Sequence, residues 1–247
     1  MLLKRISNHI YYLPLEEKTD RPNLYYILGK KFSIAIDSGN SKKHLELFYN
    51  ELKQADLPLP KYTIITHWHW DHSFALKWVE NDSIATYLTQ QKLQEVSLWQ
   101  WDIESMRQRE KDGLDIPFCN DHILVEYDNL NEIEVALATI SISSKTSIDL
   151  GDDIIDIIPL ATPHCDDGLV VFDNRDKCLF VGDADGGDFY YNDQKYDRKK
   201  LLKLIDFYDS LDYNIHCFSH SEVQSKKEAL IYLNDILNDK SMVTESD

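Results

Sequence analysis

The sequence predicts a mixed α/β chain in which one β-rich half with helices precedes another. Two observations predict it. Short apolar runs bounded by Gly, Pro, Asp and Asn read as strands. Between them lie stretches whose apolar residues recur at steps of three and four, the period of a helix face.

Residues 10–13, 23–28 and 32–36 read as three strands, and Gly29-Lys30-Lys31 suits a tight turn that makes the last two a hairpin. Asp37-Ser38-Gly39 breaks the third. A helix follows over 41–55, with Leu45, Phe48 and Leu52 on one face and Ser41 as N-cap. Pro58 and Pro60 close it and lead into a buried strand at 62–66. The next helix starts near Ser73 and a short strand follows at 83–86. Val96, Trp99, Ile103 and Met106 share one face, which predicts a long helix over 89–111. Trp101 lies off that stripe, as a core aromatic or as a wall of a pocket. Strands are expected at 123–125, 133–137, 147–150, 154–158, 169–172 and 178–181. A helix over 197–211, a strand over 214–218, a last helix over 221–237 and a frayed tail from 240 complete the chain.

Composition bounds what the chain can do. Lys plus Arg number 26 against 43 Asp plus Glu, a formal charge of -17. Such a surface repels phosphate backbones, so no nucleic-acid partner is expected and a small molecule is the expected substrate. No apolar run reaches the 18 or so residues of a membrane span. Residues 1–5 lack the apolar core and cleavage site of a signal peptide, so the expected location is the cytoplasm. Cys119, Cys165, Cys178 and Cys217 form no C-x-x-C pair and are expected to be free and mostly buried. Cys165, beside His164, is read as a small hydrophobe rather than a nucleophile.

The chemistry concentrates in His67-Trp68-His69-Trp70-Asp71-His72, directly after the strand at 62–66. In extended backbone alternate side chains share a side, so His67 and His69 face one way while Trp68 and Trp70 face the other. Asp71 and His72 fall where the chain turns towards a helix. Three imidazoles and a carboxylate within six residues is a density of metal ligands that packing alone rarely demands. Downstream, Asp183 in Phe-Val-Gly-Asp and His220 in Phe-Ser-His each follow a strand as well. Loops at strand ends carry chemistry because the sheet fixes their position. Gly182 before Asp183 permits close backbone approach. His164, in Ala-Thr-Pro-His, is the only histidine between His122 and His216. His216 falls inside a strand and His220 beyond its end, which favours His220 as a site residue. His9, His44 and His122 have no metal-spaced neighbours and are read as surface or internally satisfied groups. Asp166, Asp167, Asp185 and Asp188 are read as orienting groups or as solvated loop residues.

The motif H-x-H-x-D-H, with the later His164, Asp183 and His220 in that order, resembles the signature of the metallo-β-lactamase superfamily across nearly the whole chain. The resemblance implies a four-layer αββα sandwich: one domain, 1–247, built from two ββα-type halves. It implies two divalent metal ions, with zinc expected and iron or manganese as substitutes. His67, His69 and His164 would hold one ion, Asp71, His72 and His220 the other, and Asp183 would bridge them. A hydroxide on the ions, oriented by Asp71, would attack a small ester, thioester, lactone or related substrate. The alternatives are a phosphodiesterase or nuclease of the same fold and a non-catalytic metal-binding scaffold. The family usually has a glycine between the proline and the third histidine, whereas Pro163 adjoins His164 directly. Family members differ in the loops around the metals, so Trp101, Tyr190 and Tyr191 are the candidate substrate-binding residues.

Overall fold

The computed structural model describes residues 2–245. Two mixed sheets face each other. The first contains β1 (Lys4–Arg5), β2 (Ile10–Leu13), β3 (Leu24–Leu28), β4 (Ser33–Ile36), β5 (Tyr62–Ile64), β6 (Asp82–Thr86) and β7 (Ile140–Ile142), in chain order across the sheet. The second contains β8 (Thr146–Asp149), β9 (Ile154–Pro159), β10 (Leu169–Asp173), β11 (Cys178–Gly182), then, beyond β12 (Tyr196–Asp197), β13 (Ile215–Phe218) and β14 (Gln224–Ser225). Its spatial order is β14-β13-β11-β10-β9-β8.

The period of two along the strands builds the layers. Tyr25, Ile27, Ile34 and Ile36 meet Leu169, Val171, Cys178 and Phe180 in the core between the sheets. The alternate residues face outwards onto helices. Leu24, Tyr26 and Ala35 pack with Leu45, Phe48 and Leu52 of α1 (Lys42–Gln54). After the short α2 (Trp70–Ser73) come α3 (Tyr87–Val96), α4 (Ile103–Lys111) and α5 (Pro117–Glu126). Val170, Phe172, Leu179 and Val181 pack under α6 (Arg198–Ser210) and α7 (Lys226–Asn238). The architecture is the four-layer αββα sandwich.

Several elements depart from the sequence reading. The expected helix over 89–111 is two helices, because Asp102 caps a new start by accepting from Ser105 N, and the intervening Trp99 and Trp101 turn inwards under the Arg109 guanidinium. The expected strand at 123–125 lies in α5, which Pro117 opens in its first turn. Ile133 and Val135 alternate inwards, but among the described residues no strand pairs with them, so 133–137 joins neither sheet. The last helix starts at Lys226, since Gln224 and Ser225 first pair with β13. The helix expected near Ser73 starts earlier, at Trp70. In the tail, β15 (Val243–Thr244) pairs in parallel with β12, where fraying was expected. Ser246 and Asp247 lie outside the described residues.

Strand direction gathers the polar loops at one end. β4, β5 and β6 run parallel, as do β11 and β13. The loops after β4, β5, β11 and β13 therefore open on the same side, facing the loop from β9 to β10. Two backbone bonds close the sheets there, Leu169 N to Thr66 O at 2.9 Å and Asn23 N to Ser219 O at 2.8 Å.

Candidate metal centre

The loop after β5 carries the motif, and the side chains separate as alternation requires. Trp68 and Trp70 enter the core beside α3–α5, while His67 and His69 face the gap between the sheets. The loop after β9 brings in His164. Its Nε2 lies 2.9 Å from His69 Nδ1, and His67 Nε2 lies 3.0 Å from the same atom. Four ligands at about 2.0–2.1 Å around zinc stand roughly 3.3 Å apart, so three imidazole nitrogens at these spacings suit a single ion. Burial, together with the neighbouring imidazoles, holds His67 and His69 well below the usual histidine range. Both are neutral with lone pairs to offer.

Asp71, His72, Asp183 and His220 form the adjoining group. Asp71 Oδ2 lies 3.0 Å from His72 Nε2 and 3.0 Å from His220 Nε2. Asp183 Oδ2 is 3.3 Å from His72 Nε2, 3.4 Å from His220 Nε2 and 3.7 Å from His164 Nε2. This one oxygen thus touches both groups. Burial would lower His72 and His220, but Asp71 and Asp183 outweigh it and raise both well above the ordinary value. The carboxylates shift the opposite way: burial would raise Asp71 and Asp183, and the two imidazoles hold them down. Two atoms here remain unsatisfied. His72 Nε2, although close to two carboxylates, is aligned for a hydrogen bond with neither, and Asp183 Oδ1 has no partner. Buried polar atoms are rarely left so. The donor set, its spacing and these orphaned atoms all fit divalent cations.

The outward ring nitrogens are fixed by residues the sequence did not single out. Asp37 sits just beyond β4 with φ 64°. Its carboxylate accepts from Thr66 N at 2.7 Å and lies 2.7 Å from His72 Nδ1. Thr66 Oγ1, bonded to Asp37, is 3.0 Å from His67 Nδ1. His164 Nδ1 donates to Gly187 O at 2.9 Å. These bonds set which nitrogen of each ring faces inwards. Gly182 makes the contact between loops feasible: with φ +56°, a Cβ there would stand 2.7 Å from Thr66.

The other acidic loop residues are mostly structural. Asp167 is buried and accepts from Trp68 N and Thr89 Oγ1, each at 2.9 Å, so it is no solvated loop residue. Asp185 accepts from Tyr208 Oη and pairs with His216 Nε2, each at 2.7 Å, which accounts for His216 as an internal partner. Burial and Asp167 push the Cys165 thiol well up, away from a reactive thiolate. Of the remaining histidines, His44 differs from expectation, being buried with neither ring nitrogen paired, while His9 is internally satisfied among carboxylates brought from the second sheet.

A cleft of about 430 Å³ opens over the two groups. Phe118, Phe189, Tyr190 and Phe218 line it with Asp20, and among the described residues no Lys or Arg does. The Tyr190 ring lies 4.9 Å from that of His69, and its hydroxyl donates to Cys119 Sγ at 3.3 Å, so it offers its face. Tyr191 is largely exposed and borders a smaller recess on the far side of Tyr190. Trp101 lines neither space. It packs 5.0 Å from Phe74 and is held there by Arg109. Asp20, which the sequence reading passed over, has φ 54° and stands 3.8 Å from His220 Nδ1. Burial and Asp71 push its carboxyl up to about 7.

A family model described as the metallo-beta-lactamase superfamily matches residues 19–220. The chain belongs to the metallo-β-lactamase superfamily. Its members are mostly metal-dependent hydrolases. Similar solved structures include a metallo-beta-lactamase from Pontibacter korlensis, at TM-score 0.66 and 16% identity over 96% of this chain and 99% of that one. The DIM-1 metallo-beta-lactamase matches at TM-score 0.64 and 15% identity over 94% and 96%. A metallo-beta-lactamase family protein from Thermus thermophilus matches at TM-score 0.67 and 13% identity over 94% and 79%. At these identities the likeness is one of fold. No curated protein matches the chain significantly. No helix among the described residues is long and apolar enough to cross a membrane.

Proposed function

We propose that this protein is a binuclear metal-dependent hydrolase of small, uncharged esters, thioesters, lactones or related substrates. One observation carries the reading: seven buried or half-buried side chains converge in two adjoining groups that share Asp183 Oδ2, and five of them line an aromatic cleft. His67, His69 and His164 would hold one ion, Asp71, His72 and His220 the other, and Asp183 both. Divalent ions bound there would supply a water activated near neutral pH and a Lewis acid for the developing oxyanion.

The chain supplies the rest. Asp71 would hold and orient the nucleophilic water. Asp37 and Thr66 fix the imidazoles behind it. Tyr190, Phe118 and Phe189 would pack on the apolar part of the substrate and exclude bulk water. Among the described residues a phosphodiester would find no Lys or Arg in the cleft, which favours uncharged substrates.

Metal-reconstituted protein assayed on lactones, thioesters, phosphodiesters and β-lactams tests the reading. Turnover is expected with the first two classes. Asp71→Asn should lower kcat by about 100-fold or more, as loss of an electrostatic catalytic group does. Asp183→Ala should lose metal as well as rate. Cys165→Ala should cost less than twofold. A Cys nucleophile predicts the reverse order, and a scaffold predicts no turnover even in the wild type.

A further inference from the structure

The opposite end of the sandwich holds a second type of polar cluster. His9 lies just before β2 in the first sheet, and its carbonyl accepts from Leu28 N at 2.8 Å, at the end of β3 away from Asn23. Asp153 precedes β9, Asp173 ends β10, and Asp176 stands in the turn to β11. β11 then runs from this cluster to Gly182, beside Asp183. Five residues at about 3.3 Å each separate the two places by roughly 15 Å.

Within the cluster, His9 Nε2 is 2.9 Å from Asp173 Oδ2 and 3.6 Å from Asp153 Oδ2. His9 Nδ1 is 3.2 Å from Asp176 Oδ2 and 3.2 Å from Ser7 Oγ. The side chains of His9, Asp153 and Asp173 are 3%, 1% and 0% exposed. Counting donors exposes a deficit. An imidazolium has two N–H groups. One faces Asp176 and Ser7, and the other is spent on Asp173. Asp153 Oδ1 accepts from Arg175 N, and Asp173 Oδ1 from Asp176 N. Asp153 Oδ2 is buried with no hydrogen-bond partner among the described residues. The Arg175 guanidinium does not relieve it, being paired with Asp152 at 2.7 Å. For Asp153 Oδ2 the nearest donor is His9 Nε2 at 3.6 Å, too far for a hydrogen bond, so this buried oxygen keeps part of its desolvation cost.

We propose that His9 Nε2, Asp153 Oδ2 and Asp173 Oδ2 form a further divalent-cation site that clamps the two sheets together. The three atoms lie within 4.8 Å of one another, and the 2.9 and 3.6 Å spacings bracket the roughly 3.3 Å between neighbouring ligands of tetrahedral zinc. On binding, the cation replaces the Nε2 proton, which leaves to solvent, and two carboxylates balance its charge. Nδ1–H stays donated to Asp176, the carboxylate–histidine–metal arrangement that fixes a ligating ring. One nitrogen with carboxylate oxygens suits zinc or manganese. The role is structural, because the buried ligands leave no open cleft for a substrate.

The test is a count. Chelator-stripped full-length protein is loaded with Zn²⁺, freed of excess metal and analysed, alongside His9→Gln and Asp153→Asn. Each variant should hold one ion fewer than wild type, and zinc should raise its Tm less, while turnover stays unchanged. Asp153→Asn is isosteric, so it serves if His9→Gln does not fold. His67→Ala should lose ions in addition to, and independently of, this one, which separates the proposal from the binuclear reading. Equal zinc content and equal Tm gain in wild type, His9→Gln and Asp153→Asn would mean that the imidazolium alone closes the cluster, and would overturn the site.

Discussion

At the scale of single residues, the candidate centre is set as much by what holds the imidazoles as by the imidazoles themselves. The motif His67–His72 was readable because its density of ligands has no packing purpose. His164 was found as the one histidine in its interval, and Pro163 beside it does not displace the ring: Gly187 O takes Nδ1 and Nε2 turns to His69. Asp37 gave no such signal, since an Asp-Ser-Gly break after a strand is ordinary. Only the fold shows its carboxylate against Thr66 and His72. Asp37→Ala removes the acceptor that fixes His72 Nδ1 and, through Thr66, that of His67. Zinc affinity should fall about 10- to 100-fold, the usual cost of losing such an orienting partner. Competition with a chromophoric chelator measures it, and unchanged affinity would assign Asp37 to packing alone.

At the scale of elements, an apolar run became a strand where it met a partner strand. Residues 154–158 and 169–172 are such runs and pair. Residues 133–137 form another, but Ile133 and Val135 fill the core beside α3–α5 and, among the described residues, pair with no strand. Helix ends followed their caps. Asp102 divides the stretch that a continuous apolar stripe had joined, and Ser225 with Glu228 makes a capping box that delays α7. Ser225 Oγ accepts from Glu228 N, and Glu228 Oε2 accepts from Ser225 N at 2.8 Å. Ser225→Ala should therefore cost about 1 kcal/mol, read as a lower denaturant midpoint at constant m-value. It should leave metal content unchanged, because the cap lies outside the centre.

At the scale of the whole molecule, the two sheets pack so that loops from both close on one space. His67 to His72 come from the first sheet and His164, Asp183 and His220 from the second. Neither sheet holds a complete group, so the site exists only when the sandwich is closed. The charge of -17 argues against a phosphate-backbone partner, and among the described residues no Lys or Arg lines the cleft, which carries that reasoning down to the site. What composition and order could not reveal was pairing across long separations, such as His9 with Asp173, 164 residues apart. The proposed function needs the seven convergent side chains to hold two ions, and anomalous diffraction at the zinc edge, from crystals of reconstituted protein, shows directly whether they do. Two peaks about 3.5–4 Å apart are expected, one among His67, His69 and His164 and one among Asp71, His72 and His220, with Asp183 touching both. A single peak, or none, at this end of the sandwich in fully loaded crystals would contradict the proposed function.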